Sequence, residues 1–190
     1  MQDEQFLASS DANASHQVGV ARRSMGRMAL TFVLVAAALQ WGWSLASQSL
    51  LEKAVIDVAT VKTAVAVINA LTPDVHARAL GATIKAPGGG INVLNGCEGT
   101  EVLFLMFAAL WSYPLGWRWR GIGMAMSTVL VFGLNQVRLL ALFYSYRENR
   151  TLFDQLHGLV MPLLLVVTAI GLFVWLVNQN DRKPMVASPQ

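Results

Sequence analysis

Four long stretches without charge limit what this chain can fold into. Met28–Leu51 runs 24 positions without a charged side chain, Val102–Trp117 runs 16 and Gly158–Asn180 runs 23. Gly121–Tyr146 is interrupted once, by Arg138. A helix that crosses the hydrocarbon core of a bilayer needs about 20 mainly apolar residues. Inside lipid, a helix satisfies every backbone polar group within its own segment. The chain is 55% hydrophobic and only 13% charged, whereas a soluble domain carries about 25% charged residues. An ordinary soluble globule is excluded.

These runs predict an all-α polytopic membrane protein with four transmembrane helices, at about 28–50, 97–117, 121–144 and 158–178. The second reaches spanning length if it begins near Cys97 and carries Glu98 and Glu101 at its mouth. The spans form a single membrane domain over 22–180, between polar tails at 1–21 and 181–190 that read as disordered and cytoplasmic. The first run exceeds the 7–15 apolar residues usual in a signal peptide, so it reads as an uncleaved anchor.

Basic residues in the short flanks orient such a bundle. Arg22, Arg23 and Arg27 precede the first span, Arg118 and Arg120 join the second to the third, and Arg182 and Lys183 follow the fourth. Four crossings place all three groups on one side, the cytoplasm. Trp117, Trp119 and Trp175 fall at that interface, with Trp41, Trp43, Tyr144 and Tyr146 at the other.

The segment 51–96 then lies outside. Within it, Ala54–Thr72 is apolar, but Asp57 and Lys62 argue against a fifth crossing. It reads as an amphipathic helix on the outer surface or packed on the bundle. Ala82–Ala86 and Ile91–Asn95 flank Pro87-Gly88-Gly89-Gly90, which suggests a short β-hairpin leading directly into Cys97.

Several chemistries are absent from this pattern. One cysteine forbids an internal disulfide, and no Cys/His spacing suits zinc. No metalloprotease His pair, serine elbow or phosphate loop occurs, so neither cofactor nor metal is expected. The net charge of +3 forms no basic stripe suited to nucleic acid. The expected surroundings are the lipid bilayer.

The topology brings Cys97, Arg138 and His157 to similar depth near one face of the membrane, each from a different segment. A thiol nucleophile, a cationic stabiliser and a base are the parts of cysteine acyl transfer. Asn95 and Glu98 resemble a helix-capping box, which would put Cys97 in the first turn, where amide N–H groups favour a thiolate. Glu98 opposes that effect. Arg138 follows 17 uncharged residues, and a charge at such depth costs about 2.5–3.5 kcal/mol on insertion scales. Asn135, three positions earlier, shares its helix face. Glu101 is a further ionisable group near the site, suited to pairing with Arg138, orienting His157 or facing water. Each residue also has a plainer reading: Cys97 as a small packed side chain, Arg138 snorkelling, His157 solvated at the interface.

Three blocks, Asn95-Gly96-Cys97-Glu98-Gly99-Thr100-Glu101, Asn135-Gln136-Val137-Arg138 and Phe153-Asp154-Gln155-Leu156-His157, together resemble the exosortase/archaeosortase family of membrane cysteine transpeptidases. With Tyr113-Pro114 and Trp117-Arg118, they look most like the small H-type exosortases. The likeness covers about Gly81–Trp175. It implies Cys97 as nucleophile, Arg138 as stabiliser of the oxyanion or orienter of the scissile carbonyl, and His157 as proton shuttle; Asn135 and Glu101, from their positions, read as supporting or substrate-positioning residues. The implied substrates are exported proteins ending in a short motif, a transmembrane helix and a basic cluster. They would be cut at the outer face of a bacterial cytoplasmic membrane, with a lipid or surface molecule as acceptor. Glu98 departs from the family pattern, where small or neutral residues are commoner. The competing expectation is a non-catalytic subunit of a small membrane complex, or a transporter partner, whose polar residues serve helix packing.

Overall fold

The computed structural model describes residues 25–46, 49–93 and 98–181. Cys97, Asn95, residues 1–21 and the segment after Asp181 lie outside the described residues.

The fold is mostly helical. Helix α1 spans Met25–Leu45. Helix α2, Leu50–Lys53, continues through a π-helical segment, Ala54–Lys62, into α3, Thr63–Leu71. A three-stranded antiparallel sheet follows, with β1 Arg78–Leu80, β2 Thr83–Ala86 and β3 Gly89–Asn92. Helix α4 covers Thr100–Ser112 and α5 covers Trp117–Glu148. Helix α6, Arg150–Gln155, runs through a second π-helical segment, Leu156–Val160, into α7, Met161–Asp181.

Among the described residues, four helical stretches are long and apolar enough to cross a membrane: Met25–Leu45, Ala54–Leu71, Trp117–Glu148 and Arg150–Asp181. This set differs from the expected one in two places. Ala54–Leu71 meets the length and composition of a span, despite Asp57 and Lys62. The expected span at 97–117 contains instead the 13-residue helix α4, about 20 Å long at 1.5 Å per residue. Its start explains the difference. Gly99 is the N-cap and holds a left-handed φ of 81°, a region open to glycine and costly for other residues, so the helix begins at Thr100. The Asn95–Glu98 capping box therefore does not start α4.

Helix α5 is the axis of the molecule. Its 32 residues extend about 48 Å, well beyond a ~30 Å hydrocarbon core. Two separate cores form at its two ends. Near its N-terminus, Leu110, Leu115 and Leu176 bury together, with Tyr113, Trp119, Leu172 and Phe173 packed around them. There Gly123 permits close approach, because a Cβ would lie 3.0 Å from Leu110 and 3.1 Å from Leu176. Toward the C-terminus of α5, Leu139, Leu142 and Phe143 join Ile56, Val61, Ala64 and Ile68 and the strand-borne Ile84 and Ile91.

The sheet pairs Ala79 with Ile84 and Ile84 with Ile91. Strands of three or four residues are too short to stand alone, and Ile84, Ile91 and Val93 bury against the helices. The hairpin's expected strands were close, but it carries a third strand, β1. Asn69 secures that strand's approach: its side chain donates to the Ala77 carbonyl at 2.9 Å and accepts from the Ala77 N–H at 2.8 Å. Arg147 fastens the hairpin turn to α5 by donating to the Pro87 carbonyl at 2.7 Å.

After α5 ends at Glu148, Asn149 alone breaks the helix and the chain is helical again from Arg150. Asn149 caps α6 by accepting from the Leu152 N–H at 3.1 Å, an N-cap role for which asparagine is well suited.

Candidate functional site

The block that carries Cys97 rests on α5 through its next three residues. Glu98, Gly99 and Thr100 are all buried. A Cβ on Gly99 would lie 3.3 Å from Val131 Cγ1 and 3.5 Å from the Asn135 side-chain carbon Cγ. The chain thus approaches the Asn135 face of α5 as closely as glycine allows. Two of the three sequence blocks, Asn95–Glu101 and Asn135–Arg138, meet at this contact.

Several buried polar groups gather here. Asn135 is fully buried, and neither its side-chain oxygen nor its nitrogen has a hydrogen-bond partner among the described residues. Gln136 Nε2 donates to the Thr60 carbonyl at 3.5 Å, while its Oε1 is unmet. Thr100 Oγ1 donates to Glu98 Oε1 at 3.0 Å, and Glu98 Oε2 is buried without a partner among the described residues. Arg138, one turn beyond Asn135, is 6% exposed. A buried polar atom left unmet costs about 1–3 kcal/mol, and such atoms in a folded protein call for an explanation such as a ligand or reactive site.

One π-helical segment adjoins this region, and the other packs on the core at the same end of α5. In Ala54–Lys62, the Thr60 hydroxyl donates back to the Val55 carbonyl at 2.8 Å, and the Thr60 carbonyl receives Gln136. The other, Leu156–Val160, contains His157. Departures of this kind from the α-helix recur at functional sites.

His157 is exposed. Its ring stacks on Phe153 with centroids 5.5 Å apart and planes 3° from parallel. Phe153 and Leu156 pack on the core that contains Leu139, Leu142 and Phe143. The segment bearing His157 therefore joins the same end of α5 that carries Arg138. His157 lies inside the continuous helical stretch Arg150–Asp181, seven residues after its start. Glu101 is exposed and lines a groove with Phe32, Val33 and Gln40 of α1, so its place is on the α1 side of α4.

Sequence reasoning gave Gln136 and Thr60 no role and read Glu98 as a capping residue that opposes the thiolate. The signal for Gln136 was present, because it stands between Asn135 and Arg138 in an otherwise apolar helix. The burial of Glu98 and its meeting with Thr100 depend on the tight approach of Gly99, which residue spacing does not show. No group of three or more His, Cys, Asp or Glu residues suited to a metal occurs among the described residues. In chemical terms, the described residues offer a guanidinium, two carboxamides and a carboxyl buried inside an apolar bundle, while the imidazole of His157 lies exposed on a segment that packs on the same core.

The chain matches no family model, no curated protein and no solved structure.

Proposed function

We propose that the chain is a membrane-embedded cysteine transpeptidase or protease of the exosortase kind. It would act on exported proteins that end in a motif, a transmembrane helix and a basic cluster, at the outer face of a bacterial cytoplasmic membrane. The observation that carries this reading is the close approach of Gly99, two residues after Cys97, to Asn135, one turn from buried Arg138. That contact joins the cysteine block to the arginine block, as a shared site requires.

In this mechanism the Cys97 thiolate attacks the scissile carbonyl carbon. Arg138 donates to the oxygen as it gains negative charge, an interaction strengthened by its apolar surroundings. The peptide C–N bond breaks, the leaving amine takes a proton from His157, and a thioester remains on Cys97. An acceptor amine or water then attacks the thioester carbonyl, gives up a proton to the now neutral His157, and the C–S bond breaks to release the Cys97 thiolate. Asn135 helps to orient the substrate backbone, for which its unmet amide supplies both a donor and an acceptor.

The test is co-expression with a candidate substrate and measurement of its processing. Cys97→Ala is expected to abolish cleavage, and Arg138→Met to slow it by about 100- to 1000-fold. Processing by Cys97→Ala that inserts normally would overturn the reading. A stoichiometric partner copurifying with silent Cys97 and Arg138 variants would favour the non-catalytic subunit.

A further inference from the structure

Beside the site lies a cavity of about 520 Å³, within the size range of small-molecule sites. Its walls come from α1, the π-helical segment, α4 and α5, and are mostly apolar; Leu39, Trp43, Leu103 and Phe132 are representative. Trp43 and Phe104 hold α1 against α4 at one wall through an edge-to-face contact, 5.9 Å between centroids.

Among the described residues, one acidic group faces this apolar space. Glu98 lines the cavity and is 6% exposed. Thr100 occupies Oε1, and Oε2 has no partner among the described residues. The threonine hydroxyls of the wall are committed elsewhere. Thr60 donates to Val55, Thr100 to Glu98 itself and Thr128 to the Met124 carbonyl at 2.9 Å. A carboxyl in an apolar cavity is costly unless it meets a hydrogen-bond donor, and an ionised one also needs a countercharge. An ammonium group supplies both.

We infer that the cavity binds an amphiphilic primary amine. Its alkyl body occupies the wall between α1 and α4, and its ammonium donates to Glu98 Oε2. The inference uses the cavity wall and Glu98 and assigns no part to Cys97, so it stands apart from the proposed cleavage.

The test uses the full chain in phosphatidylcholine nanodiscs and an alkyl primary amine carrying a photoactivatable diazirine in its chain. Labelled peptides are mapped by mass spectrometry. Labelling is expected within 38–46 or 99–104, with dodecylamine competing at least about tenfold better than dodecanol. Glu98→Gln is expected to reduce labelling by about the same factor. Gly42→Leu provides a second variant that leaves Glu98 intact: a Cβ at Gly42 meets nothing within 4 Å, so the added side chain fills the cavity and blocks labelling. Cys97→Ala is expected to label like the wild-type chain, even if cleavage is lost. Equal competition by dodecanol, or wild-type labelling of Gly42→Leu, overturns the inference.

Discussion

The two ends of α5 are built on different principles. At the N-terminal end, apolar side chains close around Gly123, and the polar groups are matched. Ser127 donates to the Gly123 carbonyl at 2.7 Å. Arg120 donates to the Leu110 carbonyl at 3.3 Å and lies over Trp111 and Trp117, 5.1 Å from each ring centre. Toward the other end, buried Asn135, Gln136 and Glu98 each keep a polar atom without a partner among the described residues. One helix thus carries a settled joint and a region that retains unsatisfied chemistry. Stability alone favours the first arrangement; unmet polar groups in the second are what a reactive or binding site preserves.

The sharpest way to break this comparison is a crossed pair of substitutions. Leu110→Ala is expected to cost about 2–5 kcal/mol of stability through its cavity, while substrate processing per folded molecule is unchanged. Asn135→Leu is expected to leave thermal stability unchanged or higher, because it removes an amide with no partner among the described residues. Processing should nevertheless fall by about 100-fold. Thermal unfolding in detergent and substrate cleavage give both readouts. Destabilisation by Asn135→Leu comparable to that of Leu110→Ala would make the two ends alike.

A smaller effect is expected from Gly99→Ala. The left-handed backbone costs a non-glycine residue about 1–2 kcal/mol, and the new methyl would press on Val131 at 3.3 Å. The variant should unfold at lower temperature and process substrate more slowly. A silent Gly99→Ala would remove the packing contact as a requirement.

The smallest effect belongs to the settled end. Tyr113 donates to Asp181 Oδ2 at 3.4 Å. Burial raises the pKa of its hydroxyl, and the charge of Asp181 and the hydrogen bond add to the rise. A raised pKa contributes stability that is fully present below about pH 10 and is lost as the pH climbs beyond it. Tyr113→Phe should therefore change stability by less than about 0.5 kcal/mol at pH 7. Between pH 8 and 10.5, the wild-type melting temperature should drop further than that of the variant.

Much of this contrast was legible in residue spacing. The uncharged runs located α1, α5 and α7, and three-residue spacing placed Asn135 and Arg138 on one buried face. Gly-rich punctuation located the hairpin. Asp57 and Lys62 obscured Ala54–Leu71, because the helix's role depends on Ile56, Val61, Ala64 and Ile68 meeting the sheet and α5. Those partners are distant in the chain, so local periodicity carries little of the packing. The start of α4 was also hidden: Asn95 and Glu98 have the spacing of a cap, but the backbone turn falls at Gly99.

The shared core at the C-terminal end of α5 also sets a timetable for synthesis. Ile68 buries with Leu139, which the ribosome reaches 71 residues later. At about 5–20 residues per second, the first apolar helix of that core waits roughly 4 to 14 seconds for its partner. The insertion machinery or surrounding lipid must shelter it throughout that interval. The cysteine block likewise leaves the ribosome before its seat on Val131 and Asn135 exists, so assembly of the site is deferred until the membrane helix behind it has been made.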